Sequence, residues 1–233
     1  MSLQEIKQKL QELADAGKAA HHQKFFKTGK GQYGEGDIFL GVKIPQLRKL
    51  AAEFKTLPIR DCETLLQAPI HEERMLALFL LIRHFKKGDP DTKTLIYNMY
   101  MDNTQYINNW DLVDSSALHI VGAYIEDRDQ SVLIQMARDG HLWQQRIAVI
   151  ATFKYIKTSN FDTALQVIEI LVNHPHDLIH KATGWMLREI GKRDLKTEED
   201  FLDRYAPTMP RTMLRYAIEK FPPEKRKHYL EKK

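Results

Sequence analysis

Apolar residues recur three and four apart along most of the chain, and no stretch alternates convincingly with the two-residue period of a half-buried strand. Ser2 followed by Glu5 predicts a capping box at the head of a first helix. The segment Thr28–Gly36 (TGKGQYGEG) holds four glycines and predicts a loop. Pro45 suits a first helical turn, and PQLRKLAAEF runs on from it as helix. Further helices are predicted near 59–67, 71–86, 92–101, 109–125, 130–138, 141–157, 161–173, 177–193 and 211–220. The breaks between them carry Gly88-Asp89-Pro90, Asp139-Gly140, Ser159-Asn160 and Pro222-Pro223.

Five of these helices look alike: ERMLALFLLIRHF, DSSALHIVGAYI, QRIAVIATFKYI, HKATGWMLREI and RTMLRYAIEKF each follow a shorter one. Aligning Ala77, Ala117, Ala148, Ala182 and Met213 gives spacings of 40, 31, 34 and 31 residues. That irregular period predicts an all-α stack of helix pairs, somewhat short for HEAT repeats, with one face of each helix buried on its neighbours. The competing architecture is an ordinary helical bundle. A chain of 233 residues suffices for one large domain or two small ones, and the continuous repeat favours one domain over 1–233.

Composition narrows the function classes. No apolar run approaches the ~18 residues of a membrane span, and the charged N-terminus MSLQEIKQKL does not resemble a secretory signal. Cys62 is the single cysteine, so no internal disulfide can form, and a reducing cytoplasmic setting is expected. The formal charge of +4 is the small difference between 35 basic and 31 acidic residues, so its placement matters more than its size.

In the helix expected over 177–193, Lys181, Trp185, Arg188 and Lys192 share a narrow arc, while Ile179, Ala182, Met186 and Ile190 lie opposite. A tryptophan inside a basic stripe suits nucleic acid, with the ring against a nucleotide and the cations on phosphates. The alternative is a ring covered by the next repeat and shielding lysine stems. Trp143 and Arg146 sit near the start of the helix over 141–157, with Lys154 and Lys157 further along. Trp110 and Asp114 are four apart on one face of the helix over 109–125, above Ala117 and Val121. A carboxylate on so apolar a stripe needs a partner, and Arg146 of the next repeat is the natural one. Spacing alone slightly favours a structural Asp–Arg clamp.

Other chemistries find little support. The ten histidines show no metal-ligand spacing, and His21-His22 and His174/His176 are expected in solvent. The glycines of 29–36 lack the strand and Gly-Lys-Ser/Thr ending of a phosphate loop. Glu72-Glu73 and Glu198-Glu199-Asp200 read as first-turn charges of helices.

Four segments, FLGVKIPQLRKLA, NNWDLVDS, WQQRIAVIATFKY and HKATGWMLREIGKR, resemble those of the AlkD-type DNA alkylation repair glycosylases. The similarity spans roughly residues 20–220, in order and at compatible spacing. It implies a right-handed superhelical stack of HEAT-like antiparallel helix pairs with a concave basic face. The implied activity is excision of cationic N3- and N7-alkylated purines from double-stranded DNA, without a metal or organic cofactor; a monomer is expected, as for many helical-repeat arrays. By motif, Asp114 matches the catalytic aspartate, and Trp110 and Trp185 match the aromatic pair flanking the lesion's deoxyribose. Arg146 matches an arginine engaging DNA, and Lys181 and Arg188 match positions near the phosphate backbone. Lys43, Trp143 and Lys192 complete the expected DNA-binding set. This chain departs from the pattern at Asn109, where a tryptophan is frequent, at Phe26 for tyrosine, at Lys43 for glutamine, and in the glycine-rich insertion 28–36. Those departures keep open a catalytically silent relative binding distorted DNA and, beyond it, a scaffold binding another protein.

Overall fold

A computed structural model describes residues 1–232. The protein is all-helical, and the described residues contain no strand; one isolated bridge pairs Ile38 with Ile70. The chain falls into two compact units, Met1–Ser116 and Ala117–Lys233.

The first unit runs α1 (Leu3–Glu12), α2 (Ala16–Phe25), α3 (Ile44–Glu53), α4 (Ile59–Leu66), α5 (His71–Lys87), α6 (Pro90–Asp102) and α7 (Trp110–Ser116). The capping box forms as expected, with Glu5 N donating to Ser2 Oγ and Ser2 N donating to Glu5 Oε2. Helix α5 is apolar on nearly every side, and every residue from His71 to Ile82 is buried. Such a helix belongs at the centre, and α3, α4, α6 and α7 pack around it.

The second unit opens on a π-helical turn, Leu118–Gly122, in which Gly122 N reaches Ala117 O. It continues through α8 (Ser131–Asp139), α9 (Leu142–Ala151), α10 (Phe153–Ile156), α11 (Asp162–Leu171), α12 (Asp177–Gly191), α13 (Leu195–Tyr205), α14 (Arg211–Ala217) and α15 (Pro223–Glu231). Here α12 is the hub, packed on α9, α11, α13 and α14. A Cβ at Gly184 would stand 2.4 Å from the Met213 carbonyl, so only glycine lets α12 and α14 approach this closely. All five repeat-aligned residues, Ala77, Ala117, Ala148, Ala182 and Met213, are fully buried. Periodicity therefore located the packing face of each of these helices.

Three helices escaped the hydrophobic pattern. Helix α2 buries no residue, so its sequence carries no apolar stripe. Helices α13 and α15 are dominated by charged and polar residues, LKTEEDFLDRY and PEKRKHYLE. The helix expected over 141–157 divides at Thr152, whose hydroxyl bonds back to the Val149 carbonyl at 2.6 Å and competes with the helical ladder. No helix among the described residues is long and apolar enough to cross a membrane.

Candidate nucleic-acid site

Helix α7 carries Trp110 and Asp114 one turn apart, both half-buried. The Asp114 charge is felt at Tyr100, whose hydroxyl meets Ser116 Oγ at 2.9 Å. Burial pushes the Tyr100 phenol far up, Ser116 offsets part of that, and Asp114 adds to it. Tyr100 therefore remains a neutral hydroxyl beside the carboxylate.

The start of α7 is held by a buried polar cluster that sequence reasoning missed. His71 donates from Nδ1 to Asp37 Oδ2 at 3.1 Å and from Nε2 to Asp111 Oδ2 at 2.9 Å. Ionised carboxylates only accept, so both ring nitrogens carry protons and His71 is an imidazolium. Burial alone would lower its pKa; the charge and hydrogen bond of Asp111, then those of Asp37, outweigh burial and raise it to about 9. Asp37 also accepts from Arg74, Asn108 and Asn109. Burial pushes its carboxyl up, but the His71 hydrogen bond and the Arg74 charge hold it below the usual carboxylate range.

Neighbouring loops are captured in the same way. Glu72 is buried and accepts from the backbone N–H groups of Leu40, Gly41 and Val42. Gly41 has φ of 81°, and a Cβ there would meet the Asp15 carbonyl at 2.3 Å. Glu72 and Glu73 do occupy the first turn of a helix, yet both are buried rather than solvated.

Beside this cluster lies a cavity of about 390 Å³, walled by the rings of His22, Phe25, Phe26 and Phe39, with Asp111 and the exposed Lys43 on its boundary. The Trp110 ring stacks on Phe26 at 5.4 Å and meets Phe25 edge-on at 6.1 Å. Phe25 is 55% exposed, which puts a second aromatic surface next to Trp110. His22, expected in solvent, is half-buried in this wall.

The second unit holds the remaining expected residues. Lys181, Trp185, Arg188 and Lys192 do share one side of α12 and its C-terminal cap, opposite the fully buried Ile179, Ala182, Met186 and Ile190. The stripe is less basic than its cations suggest. Lys181 pairs with Asp177, Arg188 with Glu219, and Lys192 with Glu189. Trp185 is half-buried, donates from Nε1 to Glu189 Oε1 at 3.3 Å, and meets Phe153 edge-on.

Two of the expected DNA-binding residues are buried. Trp143 is only 7% exposed, so its ring is a core element of α9 and not a stacking surface. Arg146 is 5% exposed and donates to the Leu178 carbonyl, which makes it a tie between α9 and the start of α12 and not an open cation. His174 and His176, expected in solvent, are half-buried and accept from backbone N–H groups ahead of α12.

The raised pKa of His71 makes stability depend on pH. A histidine at about 9 when folded and near 6.5 when unfolded contributes its full stabilisation below about 6.5. That contribution, on the order of 3 kcal/mol, disappears as pH rises through about 9. Urea unfolding followed by circular dichroism should give a lower midpoint at pH 9.5 than at pH 7, with a smaller drop in His71→Gln. An equal drop in both proteins would remove His71 as its source.

Among proteins with curated functions no match is found. Among solved structures, a "predicted DNA alkylation repair enzyme from Enterococcus faecalis" superposes with a TM-score of 0.70 at 17% identity, covering 90% of this chain and 97% of that one. At that identity the likeness establishes the all-helical fold. Residues 6–221 match the family described as DNA alkylation repair enzyme, and the chain belongs to that family.

Proposed function

We propose that the protein is a DNA glycosylase that releases cationic N3- and N7-alkylated purines from duplex DNA. The observation that carries this reading is the placement of Trp110 and Asp114 one turn apart on α7, both half-buried, with Asp111 between them tied to the buried His71. Family membership supports a DNA repair role.

The chemistry follows from the substrate's charge. When the glycosidic bond of a cationic purine breaks, its electron pair moves onto the base, which leaves neutral without prior protonation. Positive charge then develops on the sugar as an oxocarbenium ion. Asp114 stabilises that ion and orients the water that adds to it, while the water's proton passes to solvent. The indole face of Trp110 adds negative quadrupole density. Lys181, Arg188 and Lys192 serve the phosphates, and Arg146 contributes from its buried position by holding the start of α12.

The departures at Asn109 and Phe26, which put a buried amide and a phenyl ring beside Trp110, favour a second reading, in which the protein binds DNA without releasing a base. Base release decides between them, because binding alone yields no free base. The phosphate-binding role of α12 has its own test. Neutralising Lys181 or Arg188 with glutamine should reduce the slope of log K against log salt by roughly 0.9 for each phosphate no longer neutralised on duplex DNA. An unchanged slope in the double variant would take α12 out of the DNA interface.

A further inference from the structure

Residues 109–111 are tied, one after another, to a single buried pair. Asn109, fully buried, accepts from Trp110 N through Oδ1 at 2.9 Å and donates from Nδ2 to Asp37 at 3.3 Å. Asp111 accepts from His71 at 2.9 Å and from Leu112 N at 2.8 Å. Trp110 therefore leaves the backbone between two anchored neighbours. Its ring is fixed by a run of stacked rings, Trp110 on Phe26 at 5.4 Å, Phe26 on Phe39 at 5.0 Å, and Phe39 on His71 at 4.4 Å. Both routes away from Trp110, one polar and one aromatic, end on the same imidazolium.

The glycine-rich loop explains how residues so far apart in α2 and the segment before α3 reach one histidine. Gly34 N bonds back to Lys27 O at 3.2 Å, closing 28–33 into a compact excursion. Phe26 thereby stands ahead of the loop, and Asp37 and Phe39 stand behind it, all around His71.

We propose that Asp37, His71 and Asp111 form a positioning relay that sets the Trp110 ring for base excision. The proposal rests on the glycosylase reading for its consequence, and on geometry alone for its mechanism. His71 is 3% exposed and already gives both ring protons to carboxylates, so it cannot serve as a general base. As a cation it draws the segment before α3 and the first turn of α7 toward each other. When it loses a proton, one of those bonds must go, and the anchor on one side of Trp110 loosens.

The charged groups around His71 are few. Asp37 and Asp111 face it directly, Arg74 reaches it through Asp37, and Glu72 beside it is occupied by the loop amides. From α2, His22 approaches Glu72 at 3.9 Å; Lys43 precedes α3 at the cavity boundary; Asp114 lies one turn beyond Asp111 on α7. Glu73 is taken by Lys7 of α1. His71 is thus the group in this cluster whose charge changes at mildly alkaline pH.

The test uses the 233-residue protein labelled with 5-fluorotryptophan, whose three tryptophans are followed by fluorine NMR from pH 6 to 10, with Trp110→Phe assigning the resonance. Single-turnover release of 3-methyladenine from methylated duplex DNA is measured over the same range. The Trp110 resonance should shift with a midpoint near 9, and the release rate should fall with that midpoint. Asp111→Asn keeps an acceptor but removes a charge, and should move both midpoints down by about one pH unit or more. A Trp110 resonance that does not titrate overturns the relay, as does an Asp111→Asn protein with unmoved midpoints. If Asp111→Asn does not fold, the wild-type Trp110 titration decides alone. If the wild type releases no base while Trp110 still titrates near 9, the glycosylase reading fails and the relay stands.

Discussion

Asp114→Asn should lower single-turnover base release by 100-fold or more while leaving the fold and DNA affinity close to those of the wild type. The substitution keeps the shape and one acceptor oxygen but removes the negative charge. In the proposed reaction that charge matters chiefly when the sugar becomes cationic, so the loss falls on the transition state and not on binding. Removing one electrostatic group of this kind typically costs on the order of 3–4 kcal/mol, a factor of about 10² to 10³ in rate. Asp114 is half-buried on α7, beside the buried Leu112 and Val113. Urea unfolding of the variant separates a lost charge at the reacting sugar from a lost fold. A loss of activity accompanied by an equal loss of DNA affinity would point to a binding role for Asp114.

The largest effect on stability is expected at Asp37. Its two oxygens accept from His71, Arg74, Asn108 and Asn109, and the first two of these are buried cations. Asp37→Ala leaves Arg74 without its carboxylate partner and His71 with only Asp111. Removing one member of a buried charge cluster commonly costs about 3–5 kcal/mol, far more than the pair contributes when intact. The urea midpoint of Asp37→Ala should fall accordingly, whereas Glu35→Ala, at an exposed residue of the same loop, should stay within about 0.5 kcal/mol. A cost below about 1 kcal/mol at Asp37 would mean that the cluster does not hold the first unit together.

Much of the fold was legible from spacing, because long helices with one buried face announce themselves at a period of 3.6. The repeat alignment picked five residues, and each is fully buried. What escaped was structure built on polar contacts. Helix α2 has no apolar stripe, yet its C-terminal end delivers Phe25 and Phe26 to the wall around Trp110. His71, Glu72, Glu73 and Arg74 form the first turn of α5, and all four are buried. Glu72 reaches Val42, Arg74 reaches Asp37 and His71 reaches Asp111, across 30, 37 and 40 residues. No helical or strand period operates at such separations. One signal was present: four charged or polar residues in succession at the head of an otherwise apolar helix, downstream of a glycine-rich segment that Asp37 directly follows.

The candidate site was read unevenly for the same reason. Periodicity put Lys181, Trp185, Arg188 and Lys192 opposite the buried side of α12, and Trp110 and Asp114 one turn apart on α7. Their partners do not follow from it. Asp177, Glu219 and Glu189 temper the basic stripe, and Trp143 and Arg146 are drawn into the interior. The glycine-rich insertion brings Phe26, Asp37 and Phe39 around His71.

The proposed reaction is excision of alkylated purines, with Asp114 carrying the chemistry. The direct measurement is chromatographic detection of free 3-methyladenine and 7-methylguanine from methylated duplex DNA, with wild type and Asp114→Asn side by side. Release by the wild type and its near-absence in the variant is the predicted result. No release by folded wild type, or equal release by both proteins, would contradict it.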